Sequence, residues 1–305
     1  MKKHFPGYYP MTKKEIDEHW NKASFVIDSV FLLDIFRLNN KDAQTLLTIL
    51  NETPIKEKLW IPYDVAWLYH HSLNGEVLQQ ITNIQNTLCQ LTNCKENIIG
   101  KKRYPYLETN ITEKLQELIE TITQKLNAQI NSLSQVLKND IRKQQINDLF
   151  TGHIGEPYQD AELEEIYIQA KDRYSTSTPP GFCTGMHPNK RIMYHDMVIW
   201  NQIQKYATDN EKDIIFANGK TREDWFYKVN DKVISPRQEL IDEFFNKTKQ
   251  RFYCLSSSEF IKQCCEKFKI VHPNLSNLLE QLSEDIGYTT SNYNSVTDSS
   301  INSTN

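Results

Sequence analysis

Short runs of apolar residues alternate along the chain with longer stretches in which apolar residues recur every three or four positions. Residues 24–28, 213–217 and 251–255 are apolar runs with aromatic or β-branched side chains, which is typical of buried strands in a parallel sheet. Residues 60–62 have the character of the end of a further strand. Alternation of such strands with helical segments predicts an α/β fold with a central, mainly parallel sheet.

The helical segments are defined by their periodicity and by a capping signal. Thr12 lies three positions before Glu15, and this pair predicts a capping box at the start of a helix that continues to about Asn21. Further helices are predicted over residues 30–39, 42–50, 64–70, 161–174, 196–207 and 257–268.

The middle of the chain carries two long apolar stripes at helical spacing, over residues 78–91 and 115–141. They predict an antiparallel helical hairpin at 73–149, inserted into an α/β domain formed by 1–72 and 150–272. The hairpin cannot bury its stripes alone, so we expect it to pack on the core, on a second copy or on a protein partner. The tip of the hairpin at 101–106 combines basic and aromatic side chains, as proteins that bind single-stranded nucleic acid do. The alternative is that the basic residues only make the tip soluble.

Composition limits the class of protein without defining its function. The 305 residues are 39% hydrophobic and contain no apolar run of the roughly 18 residues that a membrane helix needs, nor an apolar signal segment, so we expect a cytoplasmic protein with no membrane contact. The six cysteines lack zinc-site spacing and are interpreted as reduced and structural. The net charge of -4 argues against indiscriminate nucleic-acid binding, but it allows a local basic groove. Residues 288–305 are predicted to be disordered.

Several short motifs follow one another along most of the chain. They begin with Phe5-Pro6-Gly7-Tyr8-Tyr9 and Phe25-Val26-Ile27-Asp28-Ser29 and span residues 5 to about 262. The later ones are Leu59-Trp60-Ile61-Pro62, Gly155-Glu156-Pro157-Tyr158, the run 194–200, Ile214-Ile215-Phe216, Glu223-Asp224-Trp225 and the run 235–241. Their order resembles that of a bacterial PIN-like family of the PIN-domain nuclease superfamily. The resemblance implies a three-layer α/β fold in which acidic residues hold one or two divalent cations, Mg²⁺ or Mn²⁺, for phosphodiester cleavage.

The family's acidic positions are only partly kept. Asp28 matches the acid at the end of the first strand, and Asp196 matches the acid at the start of the Ile-Ile-Trp helix. Leu68 stands at the acidic position on the helix after the second strand, and Asn218-Gly219-Lys220 replaces the Thr-Asp-Asp after the penultimate strand. Two acidic positions are therefore kept and two are lost, one of them to a cation.

Two of the acidic candidates have a structural alternative. Asp28 is placed either in a cleft at the sheet edge or simply as the N-cap of the following helix. Asp64 lies one helical turn before Leu68. Either the carboxylate expected at position 68 has moved by one turn to position 64, or Asp64 is simply the N-cap of the helix. The candidate catalytic and metal-binding residues are thus Asp28, Asp196 and Asp64.

Four basic residues are candidates for nucleic-acid contact. Lys190 and Arg191 precede Asp196 and are expected to flank the cleft. Lys220 supplies charge in place of a metal, contacts a phosphate, or is a solvated strand-end lysine. Arg237 contacts phosphate, for which arginine is well suited, or pairs with Glu223 or Asp224.

The sequence leads to two main functional hypotheses. In the first, a degenerate PIN-like protein of a toxin or phage-defence module has impaired or absent nuclease activity and binds nucleic acid, RNA rather than DNA, or a protein partner. In the alternative, the chain is an active Mg²⁺- or Mn²⁺-dependent endoribonuclease that uses Asp28, Asp196 and Asp64. A third hypothesis is an oligomer formed through the 73–149 hairpin.

Overall fold

The computed structural model describes residues 1, 5–9, 11–99, 107–138, 140–230 and 232–283. The chain divides into two compact units, the first formed by Met1–His70 with Gln145–Asn305 and the second by His71–Gln144. The predicted hairpin tip at 101–106 and the predicted tail at 288–305 lie outside the described residues.

The strands of the first unit are β1 Ser24–Ile27, β2 Leu59–Trp60, β3 Ile214–Asn218, β4 Phe226–Val229, β5 Lys232–Pro236 and β6 Phe252–Ser256. Four of them form a parallel sheet in the order β2-β1-β3-β6. The register places Val26 of β1 beside Phe216 of β3, and Asn218 of β3 beside Ser256 of β6. A two-stranded antiparallel hairpin, β4-β5, was not predicted from the sequence.

Helices connect and cover these strands, and a short 3₁₀ helix, Pro6–Tyr8, precedes them. The predicted capping box of Thr12 and Glu15 is confirmed at the start of the first α-helix. The α-helices are α1 Lys13–Lys22, α2 Ser29–Arg37, α3 Asn40–Asn51, α4 Thr53–Lys56, α5 Tyr63–Ile99, α6 Thr109–Lys138, α7 Ile141–Phe150, α8 Asp160–Ser175, α9 Lys190–Met193, α10 His195–Asn210, α11 Gln238–Thr248, α12 Ser257–Phe268 and α13 Leu275–Ser283.

Aromatic side chains fix helices to both faces of the sheet. On one face the ring of Phe25 lies 5.3 Å from that of Trp20 in α1 and 5.4 Å from that of Phe260 in α12. On the other face the ring of Phe216 lies 4.9 Å from that of Trp225, and Trp200 of α10 packs beside Trp225 at 5.9 Å. The predicted three-layer α/β fold with a central parallel sheet is therefore confirmed.

The parallel direction of the strands brings polar residues to one edge of the sheet. Asp28 directly follows β1, and its backbone N–H donates to the carbonyl of Ala217 in β3 at 3.0 Å. Asn218 and Ser256 are the last residues of β3 and β6. All three positions lie at the carboxyl ends of their strands, where α/β proteins bind ligands.

The second unit contains most of α5 and α6. α5 is one continuous helix of 37 residues, longer than the segment 64–70 predicted at its start. Lys95 of α5 and Glu120 of α6 form an ion pair at 3.6 Å. Ile119, Leu133 and Val136 of α6 are buried.

The structure also bears on the expected lack of membrane helices and on the state of the cysteines. Within the described residues, each helix is too short or too polar to cross a membrane. All six cysteines are present as free thiols.

Gly219, at the turn after β3, is predicted to be intolerant of a side chain. A Cβ there would lie 2.6 Å from the backbone nitrogen of Phe31 and 2.7 Å from Cβ of Val30. We therefore expect Gly219→Ala to lower the free energy of unfolding by about 2 kcal/mol, because the start of α2 must shift. Urea denaturation followed by far-ultraviolet circular dichroism measures this change.

Gly75 provides the matched control, since a Cβ there meets no atom within 4 Å and the residue is inside α5. Gly75→Ala should leave stability unchanged or raise it by up to about 1 kcal/mol. Equal effects of the two substitutions would contradict the close approach of β3 and α2.

Candidate active site

A cleft of about 80 Å³ opens at the carboxyl edge of the sheet, and we call it the acid cleft. Asp28 and Asp196, which lie 168 positions apart in the chain (196 − 28), both line it. The structure therefore brings these two candidate residues into one cleft. Its wall also includes Leu68, Thr184, His195, Lys220 and Arg222.

Asp28 is both an N-cap and a cleft residue. Its Oδ1 accepts a hydrogen bond from the backbone N–H of Ser29 at 2.6 Å, at the start of α2. Burial raises the pKa of Asp28, and the negative charge of Asp196 raises it further. The two alternatives for Asp28 are thus compatible, because the cap uses one oxygen of a carboxylate that still faces the cleft.

Asp196, in the first turn of α10, is surrounded by donors. Its Oδ2 accepts from Thr184 Oγ1 at 2.8 Å and from Arg222 Nη2 at 2.5 Å, and its Oδ1 accepts from Trp225 Nε1 at 3.2 Å. His195 Nε2 lies 3.5 Å from Oδ2. Burial alone would raise the pKa of Asp196, but the charge of Arg222, helped by His195, holds it well below its usual range.

Arg222 is the residue that sequence reasoning missed. Its Nη2 lies 3.2 Å from Asp224 Oδ2 as well as 2.5 Å from Asp196 Oδ2, and its Nη1 donates to Thr184 Oγ1 at 3.1 Å. Burial opposes its charged form, yet Asp196 and Asp224 raise the pKa of Arg222 above its usual range. A signal was present, since Arg222 is a second cation only two positions after Lys220, close to where the resembling family has acids.

Asp224 belongs to the same buried group of charges. It is fully buried, and its Oδ2 also accepts from the backbone N–H of Gly181 at 3.1 Å. Burial raises the pKa of Asp224 even though Arg222 lowers it. The guanidinium of Arg222 therefore lies between two buried carboxylates that would otherwise repel each other.

Leu68 and the pair Gly219-Lys220 occupy the positions at which the resemblance expects acids. Lys220 is half-buried and lines the acid cleft, which argues against a solvated strand-end lysine. Burial lowers the pKa of Lys220, and nearby Arg222 lowers it further. Leu68 is buried and also lines the cleft, so an apolar wall stands where the family has a carboxylate.

Asp64 is not brought into the acid cleft. Its Oδ1 accepts from Arg191 Nε at 2.6 Å and its Oδ2 accepts from Gln202 Nε2 at 2.9 Å. It also lies within the first turn of α5 rather than before it, so the N-cap alternative is wrong. The structure does not place Asp64 with Asp28 and Asp196, because Arg191 and Gln202 hold its carboxylate elsewhere.

Of the four predicted basic residues, only Lys220 lines the acid cleft. Arg191 is paired with Asp64, and Lys190 Nζ lies 2.8 Å from Glu164 Oε2 between largely exposed side chains. Arg237 Nε donates to the backbone carbonyl of Glu223 at 2.6 Å, and its Nη1 lies 3.5 Å from Glu239 Oε1, so its ion-pair partner is Glu239 rather than the predicted Glu223 or Asp224.

A family model described as a PIN like domain matches residues 24–240, which include Asp28, Asp196 and Arg222. The chain belongs to the PIN-like domain family. No curated protein and no solved structure matches the chain significantly. The nuclease fold of the PIN-like domain is thereby established for this chain.

The acid cleft does not fit the divalent cation that PIN-like nucleases use. Mg²⁺ and Mn²⁺ need several oxygen ligands, most of them carboxylate or water oxygens. Here Asp196 Oδ2 already accepts two hydrogen bonds, one from a guanidinium. Across the described ranges, no three His, Cys, Asp or Glu side chains are grouped so that they could hold a metal ion. Positive charge at this PIN-like site comes from the protein's own Arg222 and Lys220.

Removing the charge of Asp28 and removing the charge of Asp196 should change the free energy of unfolding in opposite directions. Asp28→Asn should raise the free energy of unfolding at neutral pH by about 1 kcal/mol, because it removes a buried charge near Asp196 and keeps an oxygen for the cap. Asp196→Asn should lower it by about 3 kcal/mol, because Arg222 loses its closest counter-ion. Urea denaturation at neutral pH measures both changes, and equal signs would contradict this charge arrangement.

The pH dependence of these two effects follows from the pKa directions. The pKa of Asp196 lies below the ordinary value of 3.8, so its stabilisation is complete above that value and is lost as pH falls through the lowered pKa. The pKa of Asp28 lies above 3.8, so its destabilisation is complete above the raised pKa and vanishes as pH falls to 3.8. On acidification the gain from Asp28→Asn should therefore disappear before the loss from Asp196→Asn, in denaturation curves recorded over a pH series.

Proposed function

We propose that this PIN-like protein has impaired or absent metal-dependent nuclease activity and retains a nucleic-acid-binding role. The observation that supports the proposal most directly is the 2.5 Å contact between Arg222 Nη2 and Asp196 Oδ2 in the acid cleft. A guanidinium at this distance uses the carboxylate that a catalytic cation would need.

Charge balance supports the loss of cation affinity. Affinity for a hard cation falls when carboxylates are removed from its site. A divalent ion at Asp196 would either approach a buried guanidinium or displace it, which would leave Arg222 without its closest counter-ion. Both alternatives carry a large electrostatic cost in a buried site.

Lys220 supports contact with a polyanion. It lines the cleft beside Arg222, whose own charge is balanced by Asp196 and Asp224, and no acid stands at position 68 or 219. We propose RNA rather than DNA as the nucleic acid, on the family resemblance. A place in a toxin or phage-defence module, and a protein partner or self-association through the 73–149 hairpin, stay predictions from the sequence.

A second candidate is an active Mg²⁺- or Mn²⁺-dependent endoribonuclease. One observation favours it: Asp28 and Asp196 share the acid cleft, and the charge of Asp196 contributes to the raised pKa of Asp28. A cation between two such carboxylates would relieve their repulsion. In this candidate Asp64 contributes no ligand, because it is paired with Arg191.

A manganese titration by isothermal calorimetry separates the two candidates. For the wild type we expect no saturable binding at millimolar Mn²⁺, whereas Arg222→Gln should gain binding because Asp196 Oδ2 is released. Arg142→Gln, which removes an arginine from its pair with Asp140, is the matched control and should behave like the wild type. Wild-type binding that is lost in Asp196→Asn would overturn the proposal in favour of the active nuclease.

Cleavage of single-stranded RNA in the presence of Mn²⁺ gives an independent readout. The wild type should cleave no faster than Asp28→Asn, because neither protein holds a catalytic cation. Cleavage that requires both Mn²⁺ and Asp28 would show that catalysis survives.

A further inference from the structure

A second cavity, of about 190 Å³, lies at the same carboxyl edge of the sheet, and we call it the serine pocket. Its walls include the ends of β3 and β6, the start of α12 and part of α2. Asn218 and Lys220 line both the serine pocket and the acid cleft. The serine pocket is defined by Arg37, Lys220, Thr221, Ser256, Ser257 and Ser258.

The start of α12 provides backbone donors at this pocket. α12 has 12 residues, and Ser256 is its N-cap, whose side chain accepts from the backbone N–H of Glu259. The N–H groups of Ser257 and Ser258, in the first turn, have no acceptor within the helix. Such a helix start favours an anion, because free N–H groups and the helix dipole act in the same direction.

Ser257 gives an independent indication of a ligand. Its side chain is 4% exposed and lines the pocket. Its Oγ is buried and forms no hydrogen bond with any other residue in the described part of the chain. A buried hydroxyl without a partner destabilises the fold, so a ligand oxygen that accepts a hydrogen bond from it would be favoured.

The charges around the pocket favour an anion as well. Arg37 and Lys220 are basic, and the acidic side chain on the pocket wall, Asp34, is paired with Arg37 through a 2.8 Å contact. Glu259, in the first turn of α12, is not part of the wall and pairs with Lys262 at 3.5 Å. The ionisable wall residues therefore carry two positive charges against one negative charge.

We propose that the serine pocket binds a phosphate monoester. The N–H groups at the start of α12 and Ser257 Oγ donate to the phosphate oxygens, and Lys220 supplies the neighbouring positive charge. The same chemistry is offered by the terminal phosphate of a nucleic-acid strand and by a free nucleotide or inorganic phosphate. Because Lys220 lines both cavities, a strand end bound in the serine pocket lies beside the acid cleft. The inference rests on the proposed nucleic-acid-binding role and deepens it, because it assigns a pocket to one terminal phosphate of the bound strand.

Fluorescence anisotropy with a labelled single-stranded RNA tests the proposal. One sequence is used with a phosphate at its 5′ end, with a phosphate at its 3′ end, or with hydroxyls at both ends, and a chelator removes divalent cations. We expect one phosphorylated form to bind about tenfold more tightly than the hydroxyl form, as one or two charge-assisted hydrogen bonds would give. Competition by inorganic phosphate and by a nucleoside monophosphate distinguishes a free phosphate ligand from a strand end.

Three variants assign any preference to the pocket. Ser257→Ala removes one hydroxyl, Lys220→Gln removes one charge, and each should abolish most of the preference for the phosphorylated strand. Lys262→Gln, an exposed residue on the same helix, is the matched control and should keep the preference. Circular dichroism checks the fold of each variant. If Lys220→Gln does not fold, the binding preference of Ser257→Ala alone tests the serine pocket.

Two results would overturn the proposal. The first is equal affinity for phosphorylated and hydroxyl strands, with no competition by inorganic phosphate. The second is a phosphate preference that survives in Ser257→Ala. Neither result bears on the manganese titration, so a failure of this inference is distinguishable from a failure of the proposed function.

Discussion

The buried carboxylates at the carboxyl edge of the sheet depend on the positive charge of Arg222. Arg222 contacts Asp196 and Asp224, which come from α10 and from the segment before β4, and it also donates to Thr184. Two carboxylates so close together in a buried site would repel each other strongly without a cation between them. The guanidinium therefore joins α10 and the segment around Thr184 to the turn before β4. Against the effect of burial it lowers the pKa of Asp196, whereas burial and the charge of Asp196 raise the pKa of Asp28.

The internal cation Arg222 distinguishes this site from that of a metal-dependent PIN-like nuclease. In the PIN-like arrangement an external metal ion gathers the acids, and its binding can be tuned or removed. Here the compensating charge is covalently part of the chain, and the apolar side chain of Leu68 forms part of the cleft wall. By the resemblance, two positions at which acids are expected carry Leu68 and Gly219-Lys220 instead.

The sequence predicted the elements whose signals are local. The strands around residues 24–28 and 213–217, the capping box of Thr12 and Glu15, and α12 were all correct, because each depends on periodicity or on neighbouring residues. The hairpin β4-β5 was missed because its strands are short and partly exposed, so they lack a continuous apolar run.

Only those site residues could be predicted that follow a strand end or belong to an ordered motif. Asp28 and Asp196 were placed correctly by those signals, whereas the capture of Asp64 by Arg191 arises from a contact 127 positions apart in the chain. The role of Arg222 likewise depends on tertiary contacts with Asp196 and Thr184, for which the local sequence carries no spacing rule.

The tight turn at Gly219 has a consequence for any carboxylate placed there. The residue stands within the stretch where the resemblance expects paired aspartates, yet the backbone of Phe31 leaves no space for even a methyl group. An aspartate at this position would therefore require the start of α2 to move away from the end of β3.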